Sequence, residues 1–520
     1  MKKLIFLLIL LSTASFVNAQ VVYIATDSMR LASENPDVVS NHTLTGMSDS
    51  LDPKVVFWIH GIAGNFNSWG RVQLVTQDQT STQVAGYPVR KVYGKTVVYT
   101  AYEKNDPLPD AAGRINQDME FWRINNPRTD TLAVKHNFAI AHSQGGIVAR
   151  AIRFKNHKDS VLYPEQFRHI ATFGSPHKGA PIINSTSDTG MVMPWLMDGC
   201  TALGAAEINN FLDGSMWWRS AISASNVGSI ARSACNAFQQ TALPYLVNSI
   251  RKPIGVDYAQ GAAFLNDSLA PFTLQDTVYT KGVNFYGVEE EPVLWRVLHT
   301  MTYTTDSVNL GAPILRTNPF GFNDDGGFPQ MINDKYNDYV AKESEKASKA
   351  RSLRHLAFIS FWHIPGTGIL SYYAHQYEQK AIQYRNAYQW LGHSNMNWKR
   401  FIGARRDTSW IDGYHCQCAQ MTVNGLMILD TIVASPGDCN PNGYSNCYIS
   451  PRMRHQIIEE ESDGVVPVSS QTGMPGVAFD PRARMENTNH MQERNCFETR
   501  DRLVELFKGI YGDEFYLEEK

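Results

Sequence analysis

The chain has no marked excess of charge of either sign. Its 47 Lys and Arg residues stand against 50 Asp and Glu, a formal net charge of −3 over 520 residues. Loss of Lys2 and Lys3 with the leader described below makes it two charges more negative, so nothing favours nucleic acid or an anionic membrane surface as a partner. It also lacks any hydrophobic run of membrane-helix length. The apolar stretch from Leu4 to Leu11 is too short to span a bilayer comfortably, and no later stretch reaches the required length. Cysteine is sparse and odd in number: Cys200, Cys235, Cys416, Cys418, Cys439, Cys447 and Cys496. An odd count leaves at least one free thiol or one intermolecular bond.

At the N-terminus, Lys2-Lys3, the apolar run and Val17-Asn18-Ala19 before Gln20 have the charged, apolar and small-residue order of a secretory signal peptide. Cleavage is expected after Ala19, giving a periplasmic or secreted protein. No Cys follows that point, which argues against a diacylglyceryl lipid anchor. Export favours pairing of the cysteines. With 43% hydrophobic and 11% aromatic residues, the chain is able to bury one large core or two moderate ones.

The stretch Asn137-Phe-Ala-Ile-Ala-His-Ser143-Gln-Gly-Gly146-Ile-Val organises the rest. Phe138 to Ala141 read as a buried strand, and Ile147, Val148, Ala151 and Ile152 recur at helical spacing, so Ser143 falls on a tight strand-to-helix turn. Ala141 and Gly145, two residues either side, are the small residues such a turn needs; the pattern is A-x-S-x-G. The helix from Gln144 directs its amides and positive dipole end toward the place where an oxyanion would form.

Strand-like runs precede and follow it. Pro53 to Ile59 ends in His60-Gly61-Ile62-Ala63-Gly64-Asn65, Lys95 to Thr100 is followed by a helix pattern from Asp110 to Asn126, and His169-Ile-Ala-Thr-Phe breaks into Gly174-Ser-Pro-His-Lys-Gly-Ala-Pro181. Strand and helix in alternation predict a parallel sheet. The pieces H-G-I-A-G-N, A-H-S-Q-G-G and T-F-G-S-P-H-K-G-A-P, in this order, resemble the bacterial lipases of the α/β-hydrolase superfamily and the related GPI inositol-deacylase-like proteins. The resemblance implies an α/β-hydrolase fold, a mostly parallel central sheet flanked by helices, here with two large, mainly helical insertions. It implies Ser143 as nucleophile and the amides of Ile62 and Gln144 as the oxyanion hole. His177, in a loop bordering the site in such enzymes, is read as structural because that loop is rich in turn residues.

Late in the chain, Glu461-Ser-Asp463-Gly-Val-Val-Pro467 and Asn487-Thr-Asn-His490 match the family's acidic S-D-G-V-V-P loop and N-H, in the order Ser, Asp, His. Asp463 would orient His490, which would take the proton from Ser143. The competing acids are Glu289, Glu290 and Glu291, directly after the strand Val283 to Val288. Three adjacent glutamates before a proline read as a solvated strand end, and like charges crowded around one imidazole would oppose one another, so Asp463 is preferred.

The organisation expected is a leader at 1–19, core at 20–181, a cap or lid at 182–280, a core strand at 281–291, a second insertion at 292–454 and core again at 455–520. The Met- and Trp-rich pieces of 182–280 read either as an acyl-binding lid or as a satellite core, and Cys200 and Cys235 are placed to staple them. In the second insertion, helices are expected at Asp334 to His355 and Tyr372 to Trp390. The close C-x-C of Cys416 and Cys418, with Cys439 and Cys447, favours disulfides over a metal site. The polar loop 435–443 is explained by turn chemistry without calcium. The function expected is an exported serine hydrolase of carboxylic esters, lipase or carboxylesterase in type, needing no cofactor and touching a lipid interface transiently. The alternatives are an acyltransferase using the same triad and a surface binding protein that has lost catalysis.

Overall fold

The computed structural model describes residues 23–26, 55–62, 69, 93–98, 107–124, 134–187, 191–214, 253–297, 327–360, 367–423, 425–439, 446–494 and 496–515. The expected leader at 1–19 and Cys235 lie outside them. The described residues fall into two units, one at 1–403 with 461–520 and one at 404–460.

The first unit is built on a seven-stranded sheet in the order β1-β3-β2-β4-β5-β6-β10. Its strands are β1 (Tyr23–Thr26), β2 (Val55–Ile59), β3 (Tyr93–Val98), β4 (Phe138–His142), β5 (His169–Phe173), β6 (Gly282–Val288) and β10 (Arg484–Glu486). Only β1 runs antiparallel to its neighbour. β4, which leads to Ser143, sits in the middle. Its five residues are all buried, as an unbroken apolar run in a sheet covered on both faces requires.

Alternate side chains of the strands enter two cores. Phe57, Ile59, Ala139 and Ala141 pack against α1 (Leu108–Ile124) and α2 (Gln144–Lys158). Val56, Trp58, Phe138 and Ile140 pack against α7 (Phe497–Phe507) on the other face. Each fully buried Val, Ile or Phe contributes about 1.5–3 kcal/mol, so the strands at the centre of the sheet are the most firmly held.

The core takes in more of the chain than the sequence outlines. Residues 253–276, grouped above with the cap, carry Ile254, Tyr258, Leu265, Leu269 and Phe272 into the same cluster as Ile147 and Val148 of α2. They end in α4 (Ala270–Asp276), where Arg153 of α2 is paired with Asp276 at 2.8 Å.

Three helices form a bundle. They are α3 (Val192–Gly214), α5 (Gly327–Ser360) and α6 (Thr367–Phe401), the last two being longer than the sequence predicts. The first two long stretches that interrupt the sheet thus meet in one helical layer. Tyr339, Tyr384, Ala387 and Leu391 form its core with Ala206, and Asp213 bridges Lys346 and Lys380 at 2.8 and 2.6 Å. Trp195, one of the aromatic residues considered above for acyl binding, stacks on Trp390 at 5.0 Å between ring centroids. Its role in this fold is packing within the bundle.

The second unit departs from a mainly helical insertion. It is a three-stranded antiparallel sheet in the order β8-β7-β9, from β7 (Arg405–Thr422), β8 (Gly425–Val433) and β9 (Asn446–Glu459). β8 is exposed along most of its length, and a lone sheet with so little buried surface is marginal by itself. Two disulfides, Cys416–Cys439 and Cys418–Cys447, cross-link it, as the close spacing favoured. Asp438, the acidic group of the polar loop, accepts from the Ser435 amide at 3.1 Å as part of a capped turn. In the first unit Cys200 is disulfide-bonded, while Cys496 is a buried free thiol. Among the described residues, no helix is long and apolar enough to cross a membrane.

Candidate active site

Ser143 occupies the turn between β4 and α2 at φ 54°, a left-handed conformation that a non-glycine residue adopts only when its surroundings enforce it. Three features enforce it. The Ser143 amide donates to the Phe173 carbonyl of the neighbouring strand at 2.9 Å. Gly61, after β2, lies so close that a Cβ there would be 2.8 Å from the Ser143 Cβ. Gly145 is equally hemmed in, since a Cβ would lie 2.6 and 2.7 Å from the carbonyl oxygens of Ile59 and His60. Gly145→Ala is therefore expected to destabilise the protein by about 2 kcal/mol or more, read as a lowered midpoint of thermal unfolding. A midpoint equal to that of the wild type would mean that the β2 end and α2 are not in this close contact.

The Ser143 side chain does not cap α2. Its hydroxyl is instead 2.8 Å from His490 Nε2, and His490 Nδ1 is 2.7 Å from Asp463 Oδ2. With Nδ1–H donating to the carboxylate, Nε2 is the free acceptor facing the serine. The chain thus brings together three residues that are 347 and 27 positions apart. All three are buried.

The Asp463 loop is held by its own backbone. Asp463 Oδ1 accepts from the amides of Val465 at 2.8 Å and Val466 at 2.6 Å, which leaves Oδ2 for the histidine. Gly464, at φ 88°, makes the turn, and its carbonyl accepts from Trp398 Nε1 of α6 at 2.7 Å. The second long helix of the bundle therefore braces the acid loop, a connection that no local pattern around Asp463 announces. The His490 amide donates to the Asp463 carbonyl at 2.9 Å, and the His490 carbonyl accepts from His142 Nε2 at 2.8 Å.

The glutamate run corrects one expectation. Glu290 and Glu291 are exposed, but Glu289 is buried. Its carboxylate accepts from Asn489 Nδ2 at 3.0 Å and lies 3.9 Å from Arg296 Nε. Those two groups offset the loss of water around the charge. Glu289 thus supports the residue preceding His490 rather than the imidazole itself. Glu291 pairs with Lys399 of α6 at 2.9 Å.

Gln144 is buried at the start of α2, and Ile62 is half-buried in the chain that passes Ser143 at Gly61. His177 lies apart from Ser143's partners. Its Nε2 is 3.0 Å from Thr172 Oγ1 and its carbonyl accepts from the buried Arg150 at 3.2 Å. Burial first, and then the Arg150 charge, hold the His177 imidazole well below its ordinary value. A neutral buried histidine tying loop to strand is a structural element.

Glu493 was not singled out by the sequence. It is fully buried, with Oε2 at 3.4 Å from His490 Nδ1. Burial, and then the nearby Asp463 charge, push its carboxyl well above the usual range. For His490, burial favours the neutral ring, but the Asp463 charge, with Glu493 beside it, prevails and raises it above the ordinary value. The signal available in sequence was only the i,i+3 spacing of Glu493 from a candidate base.

No protein-family model matches the chain, and no curated protein matches it. Among solved structures, the lipase BlEst2 of Bacillus licheniformis in its propeptide form aligns at 11% identity and a TM-score of 0.26, over 52% of this chain and 45% of that one. The chain therefore spans less than half the length of that form. The mature form of the same lipase aligns at 11% identity and a TM-score of 0.26 over 56% and 95% of the two chains. A peroxisomal alpha-beta-hydrolase, Lpx1, of Saccharomyces cerevisiae aligns at 11% identity and a TM-score of 0.24 over 46% and 72%. By its own strand order and the elbow at Ser143, independently of these likenesses, the chain is built on the α/β-hydrolase fold.

Proposed function

We propose that the protein is a serine hydrolase that cleaves carboxylic esters through an acyl-enzyme on Ser143. The observation that carries this reading is the unbroken line from Ser143 Oγ to His490 Nε2 and from His490 Nδ1 to Asp463 Oδ2. His490 removes the hydroxyl proton as Ser143 attacks the ester carbonyl, and returns it to the departing alcohol. Water, activated by the same imidazole, then releases the acid. Asp463 remains ionised and fixes the tautomer. The amides of Gln144, at the positive end of α2, and of Ile62 stabilise the oxyanion. No step calls for a cofactor. Export through the leader at 1–19 and transient contact with a lipid interface fit a lipase or carboxylesterase.

The test is a panel of p-nitrophenyl esters from acetate to palmitate, with fluorophosphonate labelling followed to the modified residue. Hydrolysis with label on Ser143 is expected; absence of both would leave a binding protein on this fold.

The raised imidazole gives the pH dependence a definite sign. The base must be neutral to accept the Ser143 proton, and a histidine stabilised in its charged form becomes neutral only at higher pH. kcat/KM is expected to climb above pH ~6.5, the ordinary imidazole value, and to be higher at alkaline than at neutral pH. A profile already flat at that value would mean that Asp463 does not act on His490 as the geometry implies.

A further inference from the structure

We propose that Glu493 is a second acid of the triad, a positioning residue that shares the Nδ1 face of His490 with Asp463 and is able to take its place there. The inference rests on the reading of Ser143 and His490 as nucleophile and base. Two carboxyl groups, both fully buried, face one imidazole nitrogen, Asp463 Oδ2 at 2.7 Å and Glu493 Oε2 at 3.4 Å. Each is fastened by its other oxygen to the main chain. Asp463 Oδ1 takes the Val465 and Val466 amides, and Glu493 Oε1 takes the Gly287 amide at 2.6 Å.

Room for the second carboxyl is built into the sheet. At Gly174, φ 57°, a Cβ would collide with Glu493 Oε2 and lie 3.1 Å from Asp463 Oδ2; at Gly287 it would lie 2.7 Å from Glu493 Oε1. Both acids therefore border the same gap over Gly174.

A single Nδ1–H does not satisfy two carboxylates, and two buried anions this close strongly oppose joint ionisation. Asp463 has the better anion site, with two amides and the shorter contact to the ring. Among the described residues, Glu493 Oε2 meets no hydrogen-bond criterion and has only the longer contact to His490 Nδ1 at 3.4 Å, which makes it the place for a retained proton. As a hydroxyl it becomes a donor toward the neighbouring Asp463 carboxylate and holds it against the ring. Among the described residues, the other titratable side chain placed against Glu493 is His142, with Nε2 at 4.0 Å. Burial, and then the His490 charge, keep that ring well below its ordinary value, so it adds no charge that would pull the proton off Glu493.

Removing the Asp463 charge reverses the balance. Glu493 then ionises more readily and is already within reach of Nδ1–H, so His490 keeps an acceptor and the productive tautomer. Asp463→Asn, Glu493→Gln and the double variant are compared in the full-length protein, with circular dichroism to check folding and p-nitrophenyl butyrate as substrate. Asp463→Asn is expected to lose no more than roughly a hundredfold in kcat, and Glu493→Gln no more than roughly tenfold. The double variant should lose on the order of ten-thousandfold, as a histidine without an orienting acid does. The activity left in Asp463→Asn should appear only as pH rises through the ionisation of Glu493. Asp463→Asn as slow as the double variant would overturn the proposal.

A second readout does not depend on turnover. The low-field proton resonance of His490 Nδ1–H should persist in Asp463→Asn and disappear in the double variant. Its loss in Asp463→Asn alone refutes the second acid, even if Glu493→Gln does not fold. If the wild type hydrolyses no ester, the functional reading fails while this resonance still decides whether Glu493 serves His490.

Discussion

Ser143→Ala should lower kcat for a p-nitrophenyl ester by on the order of ten-thousandfold or more while leaving the fold intact. The lost oxygen has one described partner, His490 Nε2 at 2.8 Å, and it caps no helix. The Cβ that packs toward Gly61 and the amide that binds the Phe173 carbonyl are both kept. Alanine at φ 54° is strained much as serine is, so the unfolding midpoint should move little. What remains is the proposed oxyanion site, to which the Ile62 and Gln144 amides are assigned above. Catalysis over water of roughly a thousandfold is what such a site retains when its nucleophile is gone. Fluorophosphonate labelling should vanish with the activity. Turnover near the wild-type value would remove Ser143 from the chemistry and, with it, the proposed function.

How much of this is legible in the sequence depends on whether the signal is local. β2, β4, β5 and β6 follow the apolar runs closely because a strand buried on both faces is written as an uninterrupted hydrophobic segment ended by turn residues. The elbow was legible for the same reason, as a change of period at a serine between small residues. Asp463 and His490 stand out in the sequence through their motifs and their order, and the chain folds His490 to within hydrogen-bonding distance of both Asp463 and Ser143.

Glu289 was misjudged because the groups that make its burial tolerable, Arg296 and Asn489, are not adjacent to it. Glu493 sits in a polar stretch that reads as surface, and its pocket exists only because Gly174 and Gly287, far earlier in the chain, lack side chains. The antiparallel sheet of 404–460 was hidden for another reason. Its strands are exposed on much of their length, so they carry no inward and outward alternation to reveal a period of two. Residues 253–276 were assigned to a cap on the looseness of their pattern, whereas Leu265, Leu269 and Phe272 belong to the core against α2.

His490→Ala should reduce turnover by about as much as Ser143→Ala, again on the order of ten-thousandfold, and for a reason that tests the triad as a unit. The main chain at 490 is clamped without help from the imidazole, by its amide on the Asp463 carbonyl at 2.9 Å and by its carbonyl under His142 Nε2 at 2.8 Å. The loop should therefore keep its place when the ring is removed. Loss of the ring leaves Ser143 without a base and leaves two buried carboxyls, Asp463 and Glu493, facing an emptied space. Stability should fall with rising pH in both proteins, for different reasons. In the wild type, the imidazole is favoured in its charged form by these acids, so its contribution is present at low pH and is lost as pH rises through the raised folded value. Without the ring, burial of the two acids is easier when they are protonated, so the variant should gain relative stability as pH falls. Because nucleophile and base act together, Ser143→Ala combined with His490→Ala should be no slower than either change alone. Exogenous imidazole, small enough for the space left by the ring, should restore part of the activity of His490→Ala and none of that of Ser143→Ala. A double variant markedly slower than both single variants would mean that the two residues contribute independently, and the line from Ser143 to Asp463 would then not be the path of the proton.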